Sequence, residues 1–493
     1  MMDIIPVPVI SLRVIGPAAV LAVTGFLLML LDLLPPRGRR EHMAFVGLGG
    51  VVIALIAAVL LWGSDTTGFQ GMAILDNLTL FGTLVIGYAT GLVLLQSIDY
   101  IKRRSMESGE FYILVLFSAA GMAIMAGAND LIVVFLGLET MSLALYVLAG
   151  FFRTEIQAGE ASMKYFLLGA FASGFFLYGI ALIYGATGST NLDKIGAAVR
   201  AGAGKDPLLL IGFALLLVGF GFKISAVPFH MWTADVYEGA PTSVTAFIAT
   251  GSKAAAFTAL LRVLLASLRP LQGEWVWLFW VLAVLSMTLG NVVALAQQNL
   301  KRMLAYSSIA HAGYVLIGIV AGTTRGVTAT LIYLLIYAFM QLGAFAVVVL
   351  LRRQDVIGDE LKDLSGLHFR NPFAAFAMLI FMLSLGGIPP TAGFMGKLWL
   401  FSAAIDAHYY WLAVIGVLNS AISLYYYIRV VVFMYVKKDT IGSEPRLGPA
   451  LATVLAIAVA ATLVIGVYPR LLFEVAEASA RTLGAGGATA TLR

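Results

Sequence analysis

GFKISAVPFHMWTADVYEGAP, residues 221–241, sets a lysine at 223 and a proline at 228 at the end of an apolar run that begins near residue 208. Proline removes a backbone donor and clashes with the preceding turn, so a helix entering this stretch is interrupted here. Two geometries follow. If the helix stops at Pro228, the Lys223 stem can carry its ammonium outward to a polar interface. If it resumes through FHMW, the lysine stands deep in the apolar layer.

The rest of the chain makes that layer a lipid bilayer. Of 493 residues, 61% are hydrophobic and only 12% charged, about half the usual share of a soluble domain. There is no cysteine, which excludes thiolate-held zinc or iron–sulfur clusters, disulfides and a thiol nucleophile. A span of about 20 apolar residues crosses about 30 Å of hydrocarbon. Fourteen candidate spans run approximately 14–34, 43–62, 78–98, 111–128, 130–152, 157–186, 208–232, 242–267, 275–296, 303–321, 328–351, 373–405, 410–435 and 448–468. The N-terminal MMDIIPVPVI has no basic segment, so no cleaved signal peptide is expected. Short connections leave no room for a soluble domain, and 356–367 reads as an interfacial amphipathic stretch.

The net charge of +5 belongs to the loops, which makes the basic residues topology determinants rather than a nucleic-acid surface. Loops after odd-numbered spans hold sixteen: Arg37, Arg39, Arg40, Lys102, Arg103, Arg104, Arg153, Lys301, Arg302, Arg352, Arg353, Lys362, Arg370, Lys437, Lys438 and Arg446. The opposite face, with both termini, holds nine, including Arg13, Lys194, Arg269 and Arg493. Both termini are therefore expected away from the cytoplasm of a bacterial inner membrane.

A second break lies in LGGIPPTAGFMGK, residues 385–397. Broken backbone at membrane depth is tolerated where protein or a wet cavity satisfies it, and paired breaks mark inverted repeats with the working site between them. The deep polar residues recur at a near-constant spacing: Glu139 with His311, Lys223 with Lys397, Lys253 with Arg429. YFLLGAF (165–171) also echoes YLLIYAF (333–339). The expected architecture is all-α, with about fourteen transmembrane helices. Two inverted five-helix repeats, spans 4–8 and 9–13, occupy 111–267 and 275–435. Residues 1–110 form a three-helix segment before them, and 436–493 the last helix and tail.

A charge in the bilayer core costs at least about 2.5–3.5 kcal/mol, so each needs a reason. Glu139 is central in DLIVVFLGLETMSLALYVLAGFF (130–152), where a carboxylate cannot snorkel. Lys253 is central in TSVTAFIATGSKAAAFTALLRVLLAS (242–267), beyond reach of either interface. Lys397 follows the second break. His311 lies mid-span, sharing a helix face with Ser307 and Tyr314, and is alternatively a packing histidine. Lys164 follows Glu160 by one turn, the favourable order for a helical ion pair, and lies nearer a span end. Arg262 and Arg429 read as paired structural charges, Asp130 and Asp32 as caps, and His230 is open. Lysines in a low dielectric can exchange protons near neutral pH, and one deep carboxylate can hold a neighbour charged. The set reads as an electrostatically switched proton relay.

FLGLETMSLALYVLAGF, FKISAVPFHMWTADVYEGAPTSVTAFIATGSKAA, LKRMLAYSSIAHAGY and GGIPPTAGFMGKLWLF, in this order between about 110 and 440, closely resemble the antiporter-like membrane subunits of bacterial respiratory complex I, the proton-pumping NADH:quinone oxidoreductase. The resemblance implies discontinuous helices 7 and 12. It makes Glu139 and Lys223 a helix 5–helix 7 pair, Lys164 and Lys253 members of a central polar axis with His311 beyond, and Lys397 the helix 12 gate. It also implies that this chain carries no cofactor. NADH, FMN, iron–sulfur clusters and quinone would belong to other subunits, and the partners would be the other membrane subunits of the complex, the lipid bilayer, protons and ordered water, with no nucleic acid. Ala234 and Ser243 stand where the family leads one to expect proline. No long lateral helix fits after residue 468, which speaks against the larger subunit of that family. The alternative expectation is a subunit of a multisubunit cation/proton antiporter. A structural scaffold would tolerate neutral residues at 223 and 253, and a solute transporter would need a substrate-binding set that the sequence does not display.

Overall fold

The computed structural model describes residues 11–34, 41–103, 108–352, 358–437 and 447–485. Of the loop bases counted above, Arg37, Arg39, Arg40, Arg104, Arg353, Lys438 and Arg446 lie outside them, as does Arg493.

Three helices open the chain: α1 (Gly16–Asp32), α2 (Glu41–Leu60) and α3 (Asn77–Arg103). Between α2 and α3 a small antiparallel hairpin pairs β1 (Thr66–Gly68) with β2 (Ala73–Leu75). Then come α4 (Gly109–Ala126), α5 (Leu131–Ala149), α6 (Ile156–Thr187), the short α7 (Leu192–Arg200), α8 (Pro207–Ile224) and α9 (Thr233–Gly239). Next, α10 (Thr242–Phe247) and α11 (Lys253–Arg262) join through a π turn at Ile248–Ser252, and a second π turn, Val263–Ser267, ends the run. The second half holds α12 (Gln272–Ala296), α13 (Leu300–Ala321), α14 (Thr324–Leu351), the single turn α15 (Leu367–Arg370), α16 (Pro372–Gly386), α17 (Ala392–Asp406) and α18 (Tyr410–Tyr435). The helices α19 (Pro449–Val467) and α20 (Arg470–Ala485) close the described chain.

The protein is a multi-pass membrane protein whose described spans are all helices. Twelve helices among the described residues are long and apolar enough to cross a membrane, against the fourteen spans expected; α1 and α16 are apolar but shorter. One of the two missing spans is α1, 17 residues long, and the other lies at the Pro389–Pro390 pair. The span expected over 373–405 is two helices, α16 and α17, and the span expected to 232 ends at Ile224. The connector expected as an interfacial amphipathic stretch over 356–367 packs inward where it is described, from residue 358. Its described part holds one 3-10 turn, Leu361–Leu364, with Leu361, Leu364 and Leu367 buried. Backbone bonds pin it to the start of α13: Leu300 N donates to Asp359 O at 2.6 Å and Leu361 N to Gln298 O at 3.0 Å.

The run from Thr242 to Ser267, α13 and α14 are buried almost throughout, whereas α2, α6 and α19 turn most of their side chains outward. Apolar residues all around a helix suit a central position of the first kind. Glycine lets neighbouring backbones meet. A Cβ on Gly137 of α5 would stand 2.7 Å from Met125 N of α4, and one on Gly290 of α12 would stand 2.7 Å from Ala310 N of α13. The same small-residue contact thus closes the first helix pair of each expected repeat.

Both breaks are built on a left-handed residue. At the first, Ser225 (φ 62°) ends α8, Ala226 N donates back to Gly221 O at 2.8 Å, and a cis Val227–Pro228 bond follows. At the second, Gly387 (φ 82°) ends α16, Ile388 N donates to Leu383 O at 3.0 Å, and a cis Pro389–Pro390 bond follows. At the first break the Phe222 carbonyl accepts from Ser225 N at 3.1 Å and from the Trp232 indole at 3.0 Å.

Candidate functional site

Lys223 occupies the last turn of α8, yet it does not reach for an interface. Its residue is 2% exposed. Its ammonium finds no hydrogen-bond partner among the described protein residues and sits among three rings, 5.4 Å from the centroid of Tyr146, 5.2 Å from Tyr165 and 5.6 Å from Phe222. Such ring faces attract a cation by about 0.5–2 kcal/mol each way of counting. Tyr165 is itself held by stacking on Trp232, with centroids 4.6 Å apart. Glu139, on α5, is partly exposed and accepts from the Ser173 hydroxyl of α6. It acts on Lys223 and Tyr146 through its field, with no direct ion pair to the lysine. The expected helix 5–helix 7 pair is thus not joined by an ion pair, and Glu139 is linked to Lys223 only through its field. Gly169 of α6 gives the Tyr146 hydroxyl its seat, since a Cβ there would lie 2.0 Å from it.

A second group forms around α13. Lys253, 3% exposed, follows directly on the first π turn, an irregularity common at functional positions. It donates to the Ser308 carbonyl at 2.9 Å and to the Ser308 hydroxyl at 2.6 Å. One residue earlier on α13, Ser307 bonds the Tyr427 hydroxyl at 2.5 Å. Tyr427 in turn bonds His311 Nε2 at 3.0 Å, and Tyr333 bonds His311 Nδ1 at 2.7 Å. The sequence placed Ser307 and Tyr314 on the histidine's face, and it left out the tyrosines of α14 and α18 that saturate the ring.

Lys397, on α17, turns back to the second break. It donates to the carbonyls of Leu385 at 3.0 Å and Gly386 at 3.1 Å, and to the Ser420 hydroxyl at 2.8 Å. Its ammonium also lies 4.9 Å from the Tyr314 ring. Tyr314 continues through Asn291, at 3.2 Å, to Tyr426, at 2.8 Å. His311 feels the fields of both Lys397 and Lys253, so these three expected site residues are brought together. Aromatic rings bridge this group to the Lys223 box: Tyr165 stacks on Trp232, and Trp232 meets Tyr237 at 6.2 Å.

Lys164 is not among them. Its side chain is 41% exposed and pairs with Glu160 at 2.7 Å, as the one-turn spacing predicts, and with Asp235 of α9 at 2.7 Å. Asp235 also meets Arg302, 2.7 Å away, which pairs with Glu238 at 2.7 Å. Burial works to raise the Asp235 carboxyl, and the bonds from Lys164 and Arg302 outweigh it and hold the group below its ordinary range. Lys301, counted above as a loop charge, is instead fully buried in the first turn of α13. It donates to the Glu238 and Ala240 carbonyls at 2.7 and 2.8 Å. Arg262 is a paired charge, bidentate to Asp76 with both bonds at 2.8 Å, and Arg429 caps the Leu295 and Gln297 carbonyls. Asp130 caps α5 by accepting from Ile132 N at 2.9 Å. His230 is half-buried beside the first break.

Relatives bear on this arrangement. The family described as NADH:quinone oxidoreductase/Mrp antiporter, TM, matches residues 128–423. This chain belongs to that family. A protein of Trichlorobacter lovleyi named NADH-quinone oxidoreductase subunit N is 48% identical over 479 residues, covering 96% of this chain and 98% of its own. One of the same name from Chloroflexus aggregans is 44% identical, covering 98% and 100%. Among solved structures, a chain of the respiratory complex I of Thermus thermophilus with bound aureothin superposes with a TM-score of 0.79 at 38% identity, covering 93% of this chain and 98% of that one. A chain of the Mrp complex from a Dietzia species superposes at 0.84 with 23% identity, a likeness of fold alone. The site's lysines at 223, 253 and 397 and His311 all fall within the matched segment.

Proposed function

We propose that this chain is the proton-translocating membrane subunit of an NADH:quinone oxidoreductase, the subunit N of a bacterial complex I. It works beside the other membrane subunits of that complex in the inner membrane. Electrons pass from NADH to quinone on other subunits, and this chain moves protons without redox chemistry or a cofactor of its own. Glu139, Lys223, Lys253, His311 and Lys397 carry the proton, and Lys164 sits in the charged cluster at the basic face, where protons enter. The basic face is cytoplasmic and both termini face away from it. Residues 111–267 and 275–435 act as inverted repeats, each with one broken helix.

The observation that carries this reading is the row itself. Three lysines are 2–3% exposed in a membrane family of redox-coupled and antiporter subunits, and hydroxyls, carbonyls or ring faces surround them instead of carboxylates. A buried ammonium without a carboxylate partner is costly, and the cost falls when it releases its proton. Each lysine thus has two protonation states close in free energy, which a moving charge at Glu139 can tip. A cation antiporter of the same fold is the rival. Hard cations seek several oxygen ligands, and this row offers nitrogen donors in their place.

Replacing Lys223 with Met in the native complex tests it. Donor-driven proton uptake into membrane vesicles is expected to fail while the complex assembles and still reduces quinone when uncoupled. Normal uptake would remove Lys223 from the path.

A further inference from the structure

One ammonium and two phenol hydroxyls meet Ser308 of α13. The Lys253 ammonium approaches its hydroxyl at 2.6 Å, and the Tyr237 hydroxyl of α9 shares a 3.3 Å hydrogen bond with it. The Tyr337 hydroxyl of α14 lies beside it without closing an ordinary bond, and its ring stands 5.0 Å from that of His311. Ser308 itself is wholly buried. A serine hydroxyl has two lone pairs and one proton. Here the ammonium fills an acceptor site, since lysine can only donate. The single hydroxyl proton can then be aimed at one tyrosine at a time.

The two tyrosines lead to different places. Tyr237 stands on α9 between Asp235 and Glu238, whose side chains are 34% and 32% exposed in the charged cluster of the basic face. Lys301, two turns before Ser308 on the same helix, clamps the carbonyls of Glu238 and Ala240 and so fixes α9 against α13. Tyr337 belongs to α14, and its ring packs on that of His311.

We propose that Ser308 is the branch point of the relay, a hydroxyl rotor that loads Lys253 from the Tyr237 side and unloads it toward His311 on the Tyr337 side. In loading, a proton arriving at the Tyr237 oxygen passes to the Ser308 oxygen as the serine's own proton passes to the neutral Lys253 nitrogen. In unloading, Lys253 returns a proton to the Ser308 oxygen while the hydroxyl proton leaves to the Tyr337 oxygen, whose own proton is released toward the Tyr333 and Tyr427 hydroxyls that bond the His311 ring. No atom is gained or lost, and rotation of the hydroxyl resets the switch. Ser308, Tyr237 and Tyr337 thus carry the proton to and from Lys253 themselves. The inference rests on the proton-translocating reading above.

Ser308→Ala, Tyr237→Phe and Tyr337→Phe test it in the assembled complex in vesicles, with Lys253→Met alongside. Each of the three is expected to slow proton uptake at least about fivefold, a barrier increase of about 1 kcal/mol, with uncoupled electron transfer unchanged. In Tyr237→Phe the defect should deepen from about pH 6 to about pH 8, because loading then depends on scarce external protons; a packing defect would lower the rate equally at every pH. If Ser308→Ala fails to assemble, the two Phe variants, which keep their rings, carry the test. Normal uptake in any one of the three, with Lys253→Met inactive, overturns the branch point and leaves the proton-translocating reading standing. Normal uptake in Lys253→Met would overturn both.

Discussion

The two broken helices differ in what their lysines do. At the second break Lys397 is structural as well as ionisable: it satisfies the Leu385 and Gly386 carbonyls that Gly387 and the prolines set free. At the first break that duty falls to neutral groups, Ala226 N on the Gly221 carbonyl and Ser225 N with the Trp232 indole on the Phe222 carbonyl. Lys223 is thereby released from any hydrogen bond to the broken backbone and is left to a box of rings. The comparison teaches that one motif, a helix interrupted beside a lysine, can place the charge in two energetic states. One ammonium is anchored, and the other is free to respond to a distant carboxylate.

Replacing both lysines in turn should separate these states. Lys397→Met leaves the Leu385 carbonyl without its donor at about 1–3 kcal/mol, whereas Gly386 keeps the Ser420 hydroxyl at 3.3 Å; with removal of a buried charge as a partial offset, a net loss of about 1 kcal/mol is expected. Lys223→Met takes away an ammonium with no hydrogen bond to lose and puts a thioether among rings, which is neutral or stabilising. Thermal unfolding of the purified complex should show an earlier midpoint for the first variant only. Proton uptake should fail in both. Equal midpoints would mean that the carbonyl bonds of Lys397 contribute nothing to the fold.

Much of this contrast was out of reach of the sequence. Composition and span length made the membrane fold legible, and Pro228 and the Pro389–Pro390 pair located both breaks. Glu139, Lys223, Lys253, His311 and Lys397 stood out because charge in an apolar run is conspicuous. What surrounds them was not legible, because Tyr146, Tyr165, Tyr333, Tyr337 and Tyr427 look like ordinary apolar filling until helices far apart in sequence bring their hydroxyls to one place. Lys301 and Lys164 show the opposite limit. The first lay outside a span by hydropathy and is buried by packing of the 358–366 connector; the second lay inside a span and is exposed. The helix of Lys301 begins at Leu300, about a turn before the apolar run, whereas the Lys164 helix has its expected bounds and its lysine is turned outward to Glu160 and Asp235.

A smaller effect is expected at the left-handed residue of the second break. Gly387→Ala places a side chain at φ 82°, at a cost of about 1–2 kcal/mol, and sets its Cβ 2.9 Å from Lys397 Cδ. The lysine stem can swing, so the variant should assemble, with the ammonium displaced from the two carbonyls. Proton uptake is expected to fall without vanishing, between the native complex and Lys397→Met. Uptake as low as in Lys397→Met would mean that the anchored position is the only productive one.

The smallest effect belongs to the equivalent position of the first break, and its sign is reversed. Ser225 bears the same left-handed turn, at φ 62°, with a side chain that pays the steric penalty, and its hydroxyl is buried without a partner among the described residues. Ser225→Gly should relieve that penalty, at about 1 kcal/mol, less a few tenths for the greater freedom of glycine in the unfolded chain. The midpoint of thermal unfolding should rise slightly and proton uptake should stay unchanged, because the Lys223 box is built from rings on α5, α6 and α8. A rise in stability accompanied by a fall in uptake would instead tie the Ser225 hydroxyl to Lys223. The serine would then be kept at the first break for the same reason that the lysine there is left without a bond, and the two breaks would differ by function at the cap as well as at the charge.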